Sequence, residues 1–302
     1  MDGKNKLVSV CIATYKREKL LENLLLSLTK QALPHNIKIE IIVTDNNPIG
    51  SAKEIFNKFS NTDTISFKYF IQPQKNISLT RNISVENATG DFICFIDDDE
   101  TADENWISNL LDCIHEFNAD GVFGYVEPVF DNKIPEHFKQ REFYFSPLGN
   151  TGTNAKFYYT TNCIVKARLI KSEHIPFDHG YGLTGGEDVH LFERLANKGA
   201  KFVYSKEALT YEFIPQNRGD YKYLFNRALR GGQSYLRRSL ERKKNLFFKI
   251  KILIRIFFRF LYGIFLFSLY PFSKRKSILG ILSIGDAMGK SRALFFKFKD
   301  LY

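Results

Sequence analysis

Between residues 7 and 117 a short β-prone run is followed by a segment of helical periodicity, and this pair occurs four times. Residues 7–13 read as a strand, and in 18–32 Leu20, Leu21, Leu24, Leu25 and Leu28 fall at helical spacing. The pattern returns as strand 37–44 with helix 51–59, strand 65–71 with helix 79–87, and strand 92–96 with helix 104–117. A helix between every two strands predicts right-handed βαβ units, hence an α/β fold with a mostly parallel central sheet and helices on both faces. Ligands of such a sheet sit at the carboxyl ends of its strands, so the residues just past each strand belong together. No Gly-x-Gly-x-x-Gly loop follows the first strand, which argues against a dinucleotide oxidoreductase.

The fourth strand runs into Asp97-Asp98-Asp99-Glu100. Hard divalent ions such as Mg²⁺ or Mn²⁺ take carboxylate oxygens and share their remaining positions with substrate phosphates, so four acids at the end of a buried strand point to a diphosphate-bearing ligand. Taken alone, the run is equally a solvated acidic turn opening the next helix. The other strand ends, Thr14-Tyr15-Lys16-Arg17 and Asp45-Asn46-Asn47, would bring polar side chains to the same rim. Residues 122–178 carry Pro128, Pro135, Pro147 and Pro176 and read as extra strands and long loops on the acceptor side. Glu187-Asp188 then follows Gly185-Gly186 at a helix start, with Leu191, Phe192 and Leu195 on one face and Gly199 at the end.

With 302 residues, 44% of them hydrophobic and 25% charged, the chain can bury one large core with an appendage. Cys11, Cys94, Cys113 and Cys163 are far apart and form no Cys-x-x-Cys pair, which indicates neither a zinc site nor a disulfide framework. The first strand follows Met1 to Lys6 with no apolar signal core, so the expected location is the cytoplasmic side. The net charge of +10 hides an asymmetry. Residues 216–302 hold 20 Lys and Arg against 4 Asp and Glu, a net +16, which leaves −6 for residues 1–215. A basic tail on an acidic body suggests an anionic partner, either a membrane surface or nucleic acid.

The motifs, in order, resemble those of the inverting family 2 glycosyltransferases, whose fold is the nucleotide-diphospho-sugar transferase or GT-A fold. The resemblance covers roughly residues 7–215. It rests on the run from Val8 to Arg17, on Val43-Thr44-Asp45-Asn46-Asn47, Arg81-Asn82, the run from Gly90 to Asp99, and Gly185-Gly186-Glu187-Asp188. It implies a catalytic domain over 1–215, with a nucleotide-sugar half over about 1–120 and an acceptor half over about 121–215, and the charge asymmetry marks 216–302 as a basic helical tail that follows it. It also assigns Thr14, Tyr15, Arg17 and Asp45 to the nucleotide, Asp45 accepting from the base and Tyr15 offering a ring face. Arg81 would bind the diphosphate through its several donors. Asp97 would reach the ribose or metal-bound water, Asp99 would coordinate a Mn²⁺ or Mg²⁺ ion bridging the phosphates, and Asp98, at the variable position of the Asp-x-Asp pattern, is grouped with the nucleotide-binding residues, its alternative being a simply solvated side chain. Glu100 stands where many relatives carry a further aspartate. Asp188 would be the general base, with Glu187 positioning the acceptor or holding the local hydrogen bonds; outside this motif the pair would read as acids favoured at a helix start by its dipole. His190 reads as a partly exposed histidine. Arg218, in Glu212-Phe213-Ile214-Pro215-Gln216-Asn217-Arg218, would reach the departing diphosphate.

From 246 to 272 the tail is apolar or aromatic except for Lys249, Lys251, Arg255 and Arg259 among charged residues, and the last three recur every four residues. One cationic stripe on an apolar helix predicts an interfacial helix on an anionic membrane; the uncharged stretch 260–272 is short for a span, and the other reading is a helix packed within the protein. The long apolar face and the lack of any nucleic-acid motif argue against RNA or DNA. Gly285-Asp286-Ala287-Met288-Gly289-Lys290-Ser291 resembles a phosphate loop but has one residue too few between its glycines. The expectation is transfer of a sugar from a UDP-sugar, with inversion, to a saccharide or lipid-linked saccharide at the cytoplasmic membrane face. The competing classes are a nucleotidyltransferase of similar fold, disfavoured by the missing glycine-rich loop, and a non-catalytic membrane or nucleic-acid binder.

Overall fold

The structure is a computed structural model that describes residues 5–242 and 245–295. The alternation appears as β1 (Lys6–Thr14), α1 (Glu18–Leu28), β2 (Ile37–Asp45), α2 (Lys53–Phe56), β3 (Ile65–Ile71), α3 (Ile77–Asn87) and β4 (Phe92–Ile96). The chain continues through β5 (Glu100–Ala102), α4 (Trp106–Glu116), β6 (Gly121–Phe130), β7 (Asn162–Lys166), α5 (Ala167–Lys171), α6 (Glu187–Asn197) and β8 (Phe202–Ile214). Three helices follow: α7 (Tyr221–Arg242), α8 (Leu246–Ser268) and α9 (Lys274–Phe295).

Eight strands form one sheet in the order β3-β2-β1-β4-β7-β6-β8-β5. Its first half is parallel as expected: β1 pairs in parallel with β2 and β4, and β2 with β3. Beyond β4 the direction changes. β7 lies antiparallel to both β4 and β6, and β5 pairs antiparallel with β8. Four leucines of α1, Leu21, Leu24, Leu25 and Leu28, are fully buried, and each such side chain contributes about 1.5–3 kcal/mol.

Element boundaries differ from the expectations where capping overrides periodicity. α3 starts two residues earlier than its apolar pattern, because the Asn76 side chain caps it by accepting from Leu79 N. The segment over 51–59 contains only the short α2, which buries none of its side chains. The acid run does not open a helix directly, since Glu100 begins β5, where it lies opposite Glu212 and is buried.

The described residues form two compact units. The first takes residues within 1–127, 147–182 and 187–212, and contains most of the sheet. The second takes the described residues within 128–146, 183–186 and 213–295. Its core gathers Ile134, Phe138, Phe143, Tyr144, Ile214, Leu224 and Ile278. Within it α9 packs on α7 at very short range: a Cβ on Gly289 would stand 2.0 Å from Leu229 O and 2.9 Å from Gln233 N. The apparent phosphate loop is therefore interior helix, and its glycines serve close helix packing. α8 buries Ile252, Ile256, Gly263 and Leu266. Its other side exposes Phe247, Ile254, Phe257, Phe258, Leu261, Tyr262 and Phe265. Among the described residues no helix is long and apolar enough to cross a membrane.

Candidate active site

The parallel register brings the ends of β1 and β2 level, with Thr14 opposite Asp45, and Asn46 N donates to Thr14 O at 2.8 Å. Lys16 then takes a positive φ of 54°, which turns the chain sharply before α1. Thr14 Oγ1 donates to Asp98 Oδ2 at 2.7 Å, and Arg17 Nη1 reaches Asp98 Oδ1 at 2.8 Å and Asp99 Oδ2 at 3.1 Å. Burial lifts the Asp98 carboxyl to about 6, with Asp99 adding and Arg17 opposing. Asp98, at the variable position of the acidic motif, is therefore buried and not solvated, an internal anchor that binds the first strand end to the fourth.

Asp45 is fully buried, and its oxygens accept from Asn47 N and Ala52 N at 2.9 Å and from Tyr69 Oη at 2.8 Å. The assignment to a nucleoside base therefore meets a carboxylate already engaged by its own loop. Tyr15 is 37% exposed, with Lys16 Nζ at 5.4 Å and Lys75 Nζ at 5.2 Å from its ring centroid. Two cations beside an open ring face suit an anionic nucleotide.

The key link joins residues 106 positions apart: Arg81 Nη1 donates to Glu187 Oε1, while Arg81 Nη2 lies 3.1 Å from Asp97 Oδ1. Both ends of the Arg81–Glu187 pair are buried, the side chains keeping 10% and 6% of their exposure. This bridge brings the acids after β4 to the N-terminus of α6, where Glu187 and Asp188 occupy the first turn. Burial raises the Glu187 carboxyl, Asp188 adds to the push and Arg81 opposes it. Asp97 is also raised by burial, with Asp99 and Asp188 adding, although a third of its side chain stays in solvent and Arg81 opposes the shift. Glu187 Oε2 is buried with no hydrogen-bond partner among the described residues. Asp188 is half-buried and accepts from Val189 N at 2.7 Å. His190 is half-buried and stacked on Tyr181, with ring centroids 4.8 Å apart.

Asparagines to which the sequence reading gave no individual role hold this arrangement. Asn82 exchanges two hydrogen bonds with the Phe177 backbone, and Asn76 Nδ2 donates to His179 O at 3.1 Å. Asn46 donates to Gln72 O and Gln74 O and accepts from Asn76 N. Together they pin the loop that leads to Glu187 onto α3. Asn76 before an apolar run was a legible cap signal; the partners of Asn46 and Asn82 had none. Arg218 belongs to the second unit, where its carbonyl accepts from Tyr144 Oη and its guanidinium lies 6.0 Å from the Tyr223 ring centroid.

Among the described residues no group of three or more His, Cys, Asp or Glu side chains could hold a metal ion unaided. Asp99 offers a hard oxygen ligand on the rim, 11% exposed. One or two carboxylates completed by substrate phosphates is the way Mg²⁺-type ions are usually held, so the donor set fits a cation shared with a diphosphate.

A family model described as "Glycosyl transferase family 2" matches residues 9–175. The chain belongs to that family. It is accordingly a glycosyltransferase enzyme. It is 29% identical over 247 residues to the "Succinoglycan biosynthesis protein ExoM" of Rhizobium meliloti (strain 1021), covering 82% of this chain and 79% of that protein. The GT-A fold is matched by the crystal structure of S. aureus TarS 1-349 in complex with UDP, at a TM-score of 0.53 and 17% identity, over 93% of this chain and 90% of that one. It is matched again by the mannosyltransferase PcManGT from Pyrobaculum calidifontis in complex with GDP-Man and Mn²⁺, at a TM-score of 0.56 and 13% identity, over 98% of this chain and 77% of that one.

Proposed function

We infer that this family 2 enzyme transfers one glycosyl group from a nucleotide sugar, a UDP-sugar, with inversion, to a hydroxyl of a saccharide or lipid-linked saccharide in surface-polysaccharide synthesis. The observation that carries this reading is the Arg81 bridge, which sets the β4 acids and the α6 acids in one electrostatic neighbourhood. Asp188 takes the acceptor hydroxyl proton as the oxygen attacks the anomeric carbon from the face opposite the leaving group. Glu187, locked by Arg81, keeps one buried oxygen for the acceptor. Thr14, Tyr15 and Arg17 line the nucleotide end, with Lys75 as an added cation. A divalent cation on Asp99 would supply neutralisation of the charge that develops on the departing nucleoside diphosphate. Arg218 rests on the family resemblance alone. The exposed apolar face of α8, flanked by Lys249, Lys251, Arg255 and Arg259, suits an anionic membrane surface at the cytoplasmic side.

Asp188→Asn tests the assignment. It keeps size and removes basicity, so transfer should fall at least a hundredfold, the lower end for a positioned base, while affinity for the nucleotide sugar stays within about twofold. Retention of most of the transfer rate would remove Asp188 from that role.

A further inference from the structure

Within the second unit, side chains of α7, α8 and α9 line a half-open cavity of about 350 Å³: Tyr235, Ile252, Arg255, Ile256, Arg259, Asp286 and Lys290. Its apolar floor is Ile252 and Ile256, both buried. Its polar wall is unbalanced. Asp286 Oδ2 is shared by Lys290 Nζ at 2.7 Å and Arg259 Nε at 3.1 Å, while Lys290 Nζ also lies 4.9 Å from the Tyr235 ring centroid. The guanidinium of Arg255, one helical turn before Arg259 on the same face, makes no ion pair or side-chain hydrogen bond among the described residues. Three cations against one carboxylate leave two positive charges without a local counter-charge.

We propose that this cavity binds a phosphate group carried as a monoester, presented by a membrane lipid at the exposed face of α8. Two guanidiniums four residues apart on a helix are neighbours, and each presents a planar fork that matches phosphate oxygens. Lys290, held in place by Asp286, supplies a third donor. A phosphomonoester carries more charge than a diester near neutral pH and offers three acceptor oxygens, which matches the excess of donors. The cavity's own helix presents Phe257, Phe258, Leu261 and Phe265 to the outside, so a lipid whose chains meet these side chains would place its headgroup beside Arg255. The lipid source rests on the membrane reading of α8, whereas the phosphate chemistry does not.

The test uses the full chain and Arg255→Gln, with Lys249→Gln as a control because Lys249 does not line the cavity. Co-sedimentation is measured on phosphatidylcholine vesicles carrying either phosphatidic acid or phosphatidylglycerol at matched surface charge. In parallel, inorganic phosphate is titrated calorimetrically against the same proteins without vesicles. The parent should prefer phosphatidic acid, and Arg255→Gln should abolish that preference. Lys249→Gln should weaken both vesicle types alike, by about fivefold for one surface charge. Phosphate binding that depends on Arg255 without any vesicle preference would support the site but assign it a soluble phosphate. Equal losses for the two variants on both vesicle types, with no Arg255-dependent phosphate binding, would overturn the proposal. Nucleotide-sugar hydrolysis, followed in the same samples, keeps this outcome separate from the fate of the proposed transfer reaction.

Discussion

Replacing Arg81 by methionine should cost the first unit about 3–5 kcal/mol at about pH 8, the usual penalty for leaving one partner of a buried ion pair without its mate. The structure supports the high figure, because Glu187 is 6% exposed, already raised by burial, and has one oxygen with no partner among the described residues. Asp97 loses Arg81 too, but with a third of its side chain in water it contributes little. The penalty must also depend on pH. Without Arg81 the folded-state pKa of Glu187 rises further above its unfolded value, so the folded state holds a proton that the unfolded state has released. Stability of the variant is then largest at low pH and is lost as pH rises through that window, by about 1.36 kcal/mol per pH unit for one proton. Glu187→Gln added to Arg81→Met should recover about 1–3 kcal/mol, since it removes the stranded charge. The assay is urea unfolding at about pH 6 and about pH 8. Trp106 is the chain's one tryptophan, fully buried in the same unit as the pair, so its fluorescence reports on that unit. A loss below about 1 kcal/mol at the higher pH, or one equal at both, would refute the buried-pair argument.

Burial, with Asp97 and Glu212 adding, raises the Glu100 carboxyl well above its usual range, so it contributes stability at low pH that is lost as pH rises. Glu100→Gln should therefore raise the melting temperature more at about pH 8 than at about pH 5, in thermal scans followed through Trp106. Asp99→Asn should leave the fold intact and remove the Mn²⁺ dependence of UDP binding; calorimetry that shows equal metal dependence in parent and variant would count against Asp99 as ligand. Gly289→Ala should cost about 1–3 kcal/mol, because its Cβ meets the α7 backbone. Gly231→Ala, with no atom within 4 Å of its Cβ, should stabilise α7 by about 0.5–1 kcal/mol in helical circular dichroism melts.

Much of the site was legible locally because strand ends and helix starts are local signals. The run from Val8 to Arg17, the β4 acids and Glu187-Asp188 all lie where the periodicity put them. Their interactions were less legible: nothing near Arg81 specifies Glu187, and nothing near Thr14 specifies Asp98.

The sequence by itself determined the α/β class, the order of the parallel strands' helices and the family, since period-two and period-3.6 hydrophobicity and motif order are properties of contiguous residues. Tertiary structure alone decided that β7 inserts antiparallel beside β4 and that Glu100 enters a strand as a buried acid. It also sorted the tail's cations, pairing Arg259 with Asp286 across two helices while leaving Arg255 facing the cavity. The physical reason is range: backbone periodicity follows from neighbours in the chain, whereas burial of a charge and its choice of counter-charge depend on which distant segments come to lie within a few ångströms.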